Sequence, residues 1–337
     1  MNRLIVVSVA LSFWAPLSIA DDEIGVFETI LESSVSFDET SQALEQAIAG
    51  SDLQLHGTHV LRVPESRHEA KLFVLTSQSL IDAAASESPR TAPAQILRIA
   101  VFTSGAEQDT FVNMANPVPQ AMIYFDTSDN YDGLLTAAGA AAQEMRDLVA
   151  LIPGKVVSAQ EEPLRKEKKY RGFNGDGPAK MMAKFRTWDE SQLLLFEDSS
   201  DNFDAVVEKV LANLGNDEVV AAEEAGGWEV ISKIRLRDDV VHVGLTSPFI
   251  EDRMIGINSR FRKDGKSDES PYPGVDHVAA LPTDLLIVKE AGRTLVLHYG
   301  QMWRMQLYFW DSGYRAFTAN MGVPGDIVES IEEAVLE

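Results

Sequence analysis

The densest group of chemically versatile side chains lies near the end of the chain, in the segment LVLHYGQMWRMQLYFWDSGY (295–314). The imidazole of His298 and the thioethers of Met302 and Met305 are ligand types that suit Cu(I). A copper site here requires a hairpin turn at residues 299–301 that brings His298 and Met302 to one side. On a simple strand Met302 and Met305 would point to opposite faces.

The same segment is rich in aromatic residues, which line many small-molecule sites. The candidate ligand-binding residues are His298, Tyr299, Trp303 and Tyr308. A structural alternative is an aromatic hairpin that packs on helices, with methionine filling the gaps. The pocket and structural interpretations need no cofactor, whereas the metal interpretation needs copper.

Motifs of the common enzyme classes are absent from the sequence. There is no Gly-x-Ser-x-Gly nucleophile elbow and no phosphate-binding loop. We therefore expect a binding or accessory protein without enzymatic activity. The enzyme alternative is a hydrolase or isomerase in which His298 or His242 works with a neighbouring carboxylate.

The first twenty residues have the pattern of a secretory signal peptide. Arg3 precedes an apolar stretch over residues 4–13, and Ser18-Ile19-Ala20 resembles a cleavage site. Cysteine is absent from the whole chain, which excludes disulfides and thiol chemistry. We expect a periplasmic or secreted protein with no integral membrane association.

The formal net charge is −23. A surface of this sign repels the phosphate backbone, so nucleic acid is excluded as a partner. The expected partner is a small molecule or another exported protein.

Two halves of the sequence match each other in three places, in the same order. The matched pairs are 29–48 with 194–214, 75–77 with 245–247, and 110–125 with 294–309. In the last pair the second copy has His298 and Trp303 where the first has Met114 and Pro119. The second copy is therefore expected to carry any site, with the first as a structural partner.

The repeat defines the expected domains. A signal peptide (1–20) precedes a first repeat domain (21–152), and the second repeat domain covers 190–337 with a polar insertion near 251–280. Between the domains lies a basic linker containing glycine and proline (153–189).

Apolar periodicity predicts an α+β fold, with each domain a mostly antiparallel sheet whose helices cover one face. The order within each copy is strand, helix, several strands, helix. Strands are predicted near 26–32, 53–62, 70–76, 97–103, 110–114 and 120–126, then 192–198, 227–236, 239–246, 284–289, 293–299 and 304–310. Helices are predicted at 37–49, 131–151, 203–214 and 324–336.

Three segments also resemble a known family. They are SFDETSQALEQAIAGSDLQLHG (36–57), LTSQSLIDAA (75–84) and AALPTDLLIVKEAGRTLVLHY (279–299). They are similar to the family catalogued as domain of unknown function three-oh-two. The resemblance implies a fold like the TATA-binding protein repeat, and it implies no catalytic residues. The first copy departs from the pattern, because Ala92-Pro93-Ala94 replaces the Leu-Pro before the strand.

Overall fold

The structure is a computed structural model of the chain. It describes residues 23–336 except 64–67, 106, 178–179, 181–185, 200–201, 217–220, 222 and 262–273. The predicted signal peptide, 1–20, lies outside the described residues. No helix in the described part of the chain is long and apolar enough to cross a membrane.

The elements fall into two successive groups. The first half comprises β1 (Ile24–Ser33), α1 (Phe37–Ala49), β2 (Gln54–Val60), β3 (Ala70–Thr76), α2 (Gln78–Ala83), a 3₁₀ helix (Pro89–Gln95), β4 (Leu97–Ser104), β5 (Asp109–Ala115), α3 (Pro117–Tyr124), α4 (Tyr131–Val149), β6 (Gly154–Arg165) and α5 (Glu167–Tyr170). The second half comprises β7 (Gln192–Asp198), α6 (Phe203–Asn216), β8 (Glu229–Arg237), β9 (Val240–Thr246), α7 (Pro248–Phe261), a 3₁₀ helix (Val275–Ala280), β10 (Thr283–Glu290), β11 (Arg293–Tyr299), α8 (Gln301–Phe309), a 3₁₀ turn (Trp310–Ser312), α9 (Gly313–Ala319) and α10 (Val323–Leu336).

Local sequence explains how the first helix of each half forms. In α1 the Ser36 side chain accepts from the backbone N–H of Glu39, whose carboxylate accepts from the Ser36 backbone. This capping box satisfies amides that the helix leaves unpaired. Phe37 and Phe203 occupy the first position of α1 and α6, and both are buried against their sheets.

The fold is α+β, with two antiparallel sheets and interspersed helices. The first sheet has the order β2-β3-β4-β5-β1-β6, and the second has β7-β11-β10-β9-β8. Read from the other edge, the second sheet is β8-β9-β10-β11-β7. The two sheets therefore share one strand order over five strands, and β6 is an addition to the first.

The two sheets also carry β-bulges at matching places. The β1–β5 register shifts between Thr29 and Leu31, and the β7–β11 register shifts between Leu194 and Phe196. A second shift lies after Leu55 in β2 and after Val230 in β8. In the internal alignment Thr29 matches Leu194, so the first pair of bulges coincides residue by residue.

The two halves pack on each other in a reciprocal way. The 3₁₀ helix Pro89–Gln95 contacts β9 and β10, while the 3₁₀ helix Val275–Ala280 contacts β3, β4 and β5. Strand β2 meets β8 so closely that a Cβ on Gly57 would lie 2.0 Å from the carbonyl oxygen of Ile231. Side chains of the central strands are therefore buried on both faces of each sheet.

Several sequence-based elements need correction. The predicted strands 120–126 and 304–310 are the helices α3 and α8, because Asn116 caps α3, Pro117 starts it, and Gly300 stands at the N-cap of α8. Part of the predicted linker is β6, a full strand of the first sheet. The predicted insertion begins inside α7 and ends in a 3₁₀ helix, and its residues 262–273 lie outside the described part.

Candidate functional site

A cleft opens in the second half between α7, α8 and α10. It has a volume of about 590 Å³, including space open to solvent. Its walls are mainly apolar side chains from three helices: Ile250, Met254, Ile257, Met305, Val323 and Ile327. The polar side chains at its surface are Arg253, Thr283, Gln301, Arg304 and Asn320. A mostly apolar cleft with a few polar groups is the usual form of a small-molecule site.

The equivalent place in the first half is a contact between helices. There α4 packs directly on both α2 and α3. The contact face of α4 contains the small residues Ala138, Ala141 and Ala142, all buried, which allow helices to approach closely. In the second half α10 packs on α8 and α6, while Val323 and Ile327 face α7 across the cleft. The cleft therefore occupies the position of a helix contact in the first half.

A buried polar network lies under the cleft. Arg304 forms an ion pair with Asp284 and also donates to the carbonyl oxygens of Ala280 (2.8 Å) and Pro282 (3.1 Å). His242 donates from Nε2 to the other carboxylate oxygen of Asp284 at 2.9 Å. Burial would raise the pKa of Asp284, but Arg304 and His242 outweigh it and hold that pKa well below its usual range. Asp284 is therefore a permanent anion that fixes Arg304 at the cleft.

The first half contributes a second arginine to this network. Arg98 is 2% exposed and donates to the hydroxyl of Tyr308 at 3.1 Å. The Tyr308 hydroxyl donates in turn to Gln120 of α3 at 3.3 Å. The ring of Tyr308 also lines the cleft. The cleft wall is thus held in place by residues from both halves.

His298 has both ring nitrogens in use. Nδ1 donates to the backbone carbonyl of Asp284 (3.3 Å), and Nε2 accepts from the side-chain amide of Gln301 (3.1 Å). Burial and the nearby Arg304 charge lower the pKa of His298 to about 3, so the ring is neutral. A metal on either nitrogen would have to displace one of these hydrogen bonds.

The two methionines of the copper hypothesis lie on α8 rather than on a hairpin. Met305 lines the cleft and Met302 is half-buried outside it. Among the residues that the structure describes, no group of three or more His, Asp or Glu side chains is arranged to hold a metal ion. The copper site stays a prediction, and the structure adds no observation in its favour.

The aromatic candidates have mainly structural partners. The hydroxyl of Tyr299 donates to the carbonyl of Arg90 in the first half at 2.5 Å. The indole N–H of Trp303 donates to the carbonyl of Phe173 at 3.1 Å. Both rings pack around Tyr124 of α3. Of the four predicted ligand-binding residues, Tyr308 alone lines the cleft.

The enzyme alternative required a histidine–carboxylate pair in a concave site. His242 and Asp284 do form such a pair, but His242 is fully buried and Asp284 is 2% exposed. Arg304 lines the cleft and is paired with Asp284, while His242 does not line it. Proton transfer to a bound substrate needs direct hydrogen-bond reach or one bridging water.

A second buried cluster lies where the 3₁₀ helix Val275–Ala280 meets the first sheet. His277 sits between the carboxylates of Asp276 (3.0 Å) and Asp311 (3.4 Å). Burial lowers its pKa, but both carboxylates raise it more, to about 10. Burial and the charge of Asp276 raise the pKa of the neighbouring Glu161 to about 7. This cluster joins the two halves electrostatically.

Sequence reasoning missed Arg98, Asp284 and Arg304. A signal was present, because Arg98 and Asp284 are single charges inside or beside the apolar runs ILRIAVF and TDLLIV. A charge that interrupts a strand buried on both faces requires a partner. The sequence does not say that these two positions, on different sheets, lie close enough for their charges to interact.

Comparisons with known proteins add little to what the structure itself shows. No model of a known protein family matches the chain, and no curated protein matches it. One solved structure that it resembles is described as the crystal structure of uncharacterized conserved protein DUF302 from Bacillus stearothermophilus. The identity is 10%, the match covers 37% of this chain and 95% of the other, and the TM-score is 0.30. A similarity at this level carries no argument about function.

Proposed function

We propose that the protein is a non-enzymatic binding or accessory protein whose second half binds a small, largely apolar molecule in the cleft. The observation that carries the proposal is the cleft between α7, α8 and α10, at a position where the first half has direct helix packing. Met305 and Val323 remain partly exposed at this cleft, and exposed apolar surface costs stability. A bound apolar ligand offsets that cost.

The polar side chains at the cleft indicate what else the ligand carries. Arg304 is fixed by Asp284, and the exposed Arg253 lies over the ring of Phe249. Guanidinium groups favour oxygen acceptors and anions. The proposed ligand therefore has an apolar body and one oxygen-rich or anionic group.

We also propose that the chain is a tandem of two units of the family named above. Support comes from the sequence matches, the shared strand order and the coincident bulges. In this proposal the first unit is a structural partner, which agrees with its closed helix packing. Export to the periplasm or medium is part of the same proposal and rests on the pattern of residues 1–20.

Binding can be tested with 8-anilinonaphthalene-1-sulfonate, an apolar fluorescent anion. We expect the wild type to bind one equivalent. Met305→Trp would fill the cleft and weaken binding of the dye at least tenfold. A tenfold change corresponds to about 1.4 kcal/mol in the free energy of binding. The matched control is Met302→Trp, on the same helix but outside the cleft, which should bind like the wild type.

Native mass spectrometry of the protein purified from its own compartment gives a second test. A bound small molecule that disappears in Met305→Trp supports the proposal. Equal dye binding by both tryptophan variants contradicts the cleft as the site. Steady turnover of a defined substrate, lost on one substitution, contradicts the non-enzymatic assignment.

A further inference from the structure

The two sheets differ at one edge. In the first sheet β1 is covered by β6, which pairs with it in antiparallel fashion along its whole length. The equivalent strand of the second sheet, β7, is an edge strand, and no described residue pairs with its outer side. Among the described residues, Leu193 to Glu197 of β7 therefore present backbone N–H and C=O groups for strand addition on this side.

Apolar side chains accompany this open edge. Leu193 is 37% exposed and Leu194 is 53% exposed, both high for leucine in a strand. Beside them lies a groove of about 730 Å³, including solvent-open space, whose floor contains Leu194, Leu295 and Leu297. The groove is bordered by two ion pairs, Arg90–Glu290 and Arg293–Glu197.

The first half shows what kind of segment such an edge accepts. Against β1, Ala159 and Val156 of β6 lie opposite Thr29 and Leu31, on the two sides of the bulge. Lys155 lies opposite Glu32 and donates to its carboxylate at 2.9 Å. The way in which β6 covers β1 is therefore a guide to how another strand could cover β7.

The pairing of β6 with β1 predicts which side chains a strand that pairs with β7 would carry. Leu194 and Phe196 correspond to Thr29 and Leu31, and Glu197 corresponds to Glu32. A covering strand would place apolar side chains opposite Leu194 and Phe196 and a basic residue near Glu197. The positions along β7 are more apolar than those along β1, so the incoming strand should be more apolar than β6.

We propose that β7 is a docking edge that takes an extended segment of another protein as an antiparallel strand. Strand addition supplies main-chain hydrogen bonds, and the groove selects the side chains. The net charge of −23 disfavours a second copy of this chain and favours a partner with a basic residue.

The probe is a labelled synthetic peptide with the sequence of residues 154–165 and the change Gln160→Leu. Gln160 lies opposite Glu28 in the first sheet, and the corresponding residue of β7 is Leu193, so leucine suits that position. The control peptide carries Val156→Pro and Ala159→Pro, which remove donors from the ladder. Binding is measured by fluorescence anisotropy, and amide exchange of the full chain locates it.

We expect the peptide to slow amide exchange in β7 at least about tenfold, a stabilisation of about 1.4 kcal/mol. Leu194→Arg should weaken peptide binding at least tenfold, because it replaces an apolar contact with a charged side chain that the bound strand would desolvate. The matched control is Val60→Arg on edge strand β2, where Val60 is 62% exposed, and it should bind normally.

Three outcomes overturn the proposal. The proline peptide should bind less well than the probe, because it lacks two backbone donors. Equal binding of the two peptides therefore excludes strand addition. Protection that appears outside β7 assigns the peptide to another surface. A dimer in native mass spectrometry that dissociates on Leu194→Arg shows that a second copy occupies the edge.

Discussion

The stability of the protein above neutral pH should depend on His277. The ring is fully buried between Asp276 and Asp311, with nitrogen–oxygen distances of 3.0 and 3.4 Å. Burial lowers its pKa, and the two carboxylates more than compensate, raising it to about 10. The unfolded chain releases the same proton near pH 6.5. His277 therefore stays protonated in the folded protein after the unfolded chain has lost its proton.

The magnitude follows from this difference. A group whose pKa is raised by folding contributes its full stability below the unfolded pKa and loses it as the pH rises toward the folded pKa. Within that window the folded protein holds about one more proton than the unfolded chain. The free energy of unfolding then falls by about 1.4 kcal/mol per pH unit, or by about 3 kcal/mol from pH 7 to pH 9.

The assay is urea unfolding at several pH values, followed by tryptophan fluorescence. His277→Gln should be less stable than the wild type at pH 7, and the fall in its free energy of unfolding from pH 7 to pH 9 should be smaller by about 3 kcal/mol. The free energy of unfolding of His277→Gln should still fall somewhat with pH because of His59. Burial lowers the pKa of His59 but Glu251 raises it more, so folding raises this pKa as it does that of His277. The control is His56→Gln: burial lowers the His56 pKa, so this ring is neutral throughout and its loss should leave the slope unchanged.

Equal pH dependence in the wild type and His277→Gln would refute the reasoning. It would mean that the ring does not carry a proton between the two carboxylates. A reduced slope in His56→Gln as well would point to general weakening of the contact between the halves.

Two further predictions concern buried contacts. Gly57→Ala should lower the free energy of unfolding, measured by urea titration, by about 1–3 kcal/mol, because the added Cβ would clash with the Ile231 carbonyl. The control is Gly139→Ala, whose added Cβ would have nothing within 4 Å. This variant should raise the free energy of unfolding by about 0.5–1 kcal/mol. Asp284→Ala should cost roughly 3–5 kcal/mol because it leaves the buried Arg304 charge without its partner. A loss below about 1 kcal/mol in either destabilising variant would contradict the packing described for that residue.

The order of most helices and strands was predictable from the sequence, because it depends on local patterns. Phe37 and Phe203 each start a helix, and Thr76 and Thr246 each end a strand, as the internal matches predict. These features need only a cap, a turn and apolar periodicity, all of which act over a few residues. The α+β class follows from the order of such elements.

The assignment of 120–126 and 304–310 as strands was wrong for an identifiable reason. Short apolar runs such as QAMIYF fit a buried strand or a buried helix equally well by periodicity. The deciding signals were at the start of each run. Asn116 accepts from the Val118 N–H and Pro117 takes the first helical position, while Gly300 ends β11 and precedes α8.

The sequence by itself determined the acidic charge and the lack of cysteine, and it predicted a repeat and most of the strands. Tertiary structure decided which charges meet. Arg98 and Tyr308 are 210 residues apart and lie in different halves, so their contact depends on how the two halves pack. Asp284 pairs with His242 of the neighbouring strand and with Arg304 of α8, so these contacts depend on packing within the second half. The cleft has the same origin, because α4 closes on α2 in the first half and α10 does not close on α7 in the second. Side-chain type is local information, but the space between helices depends on every residue that holds them apart.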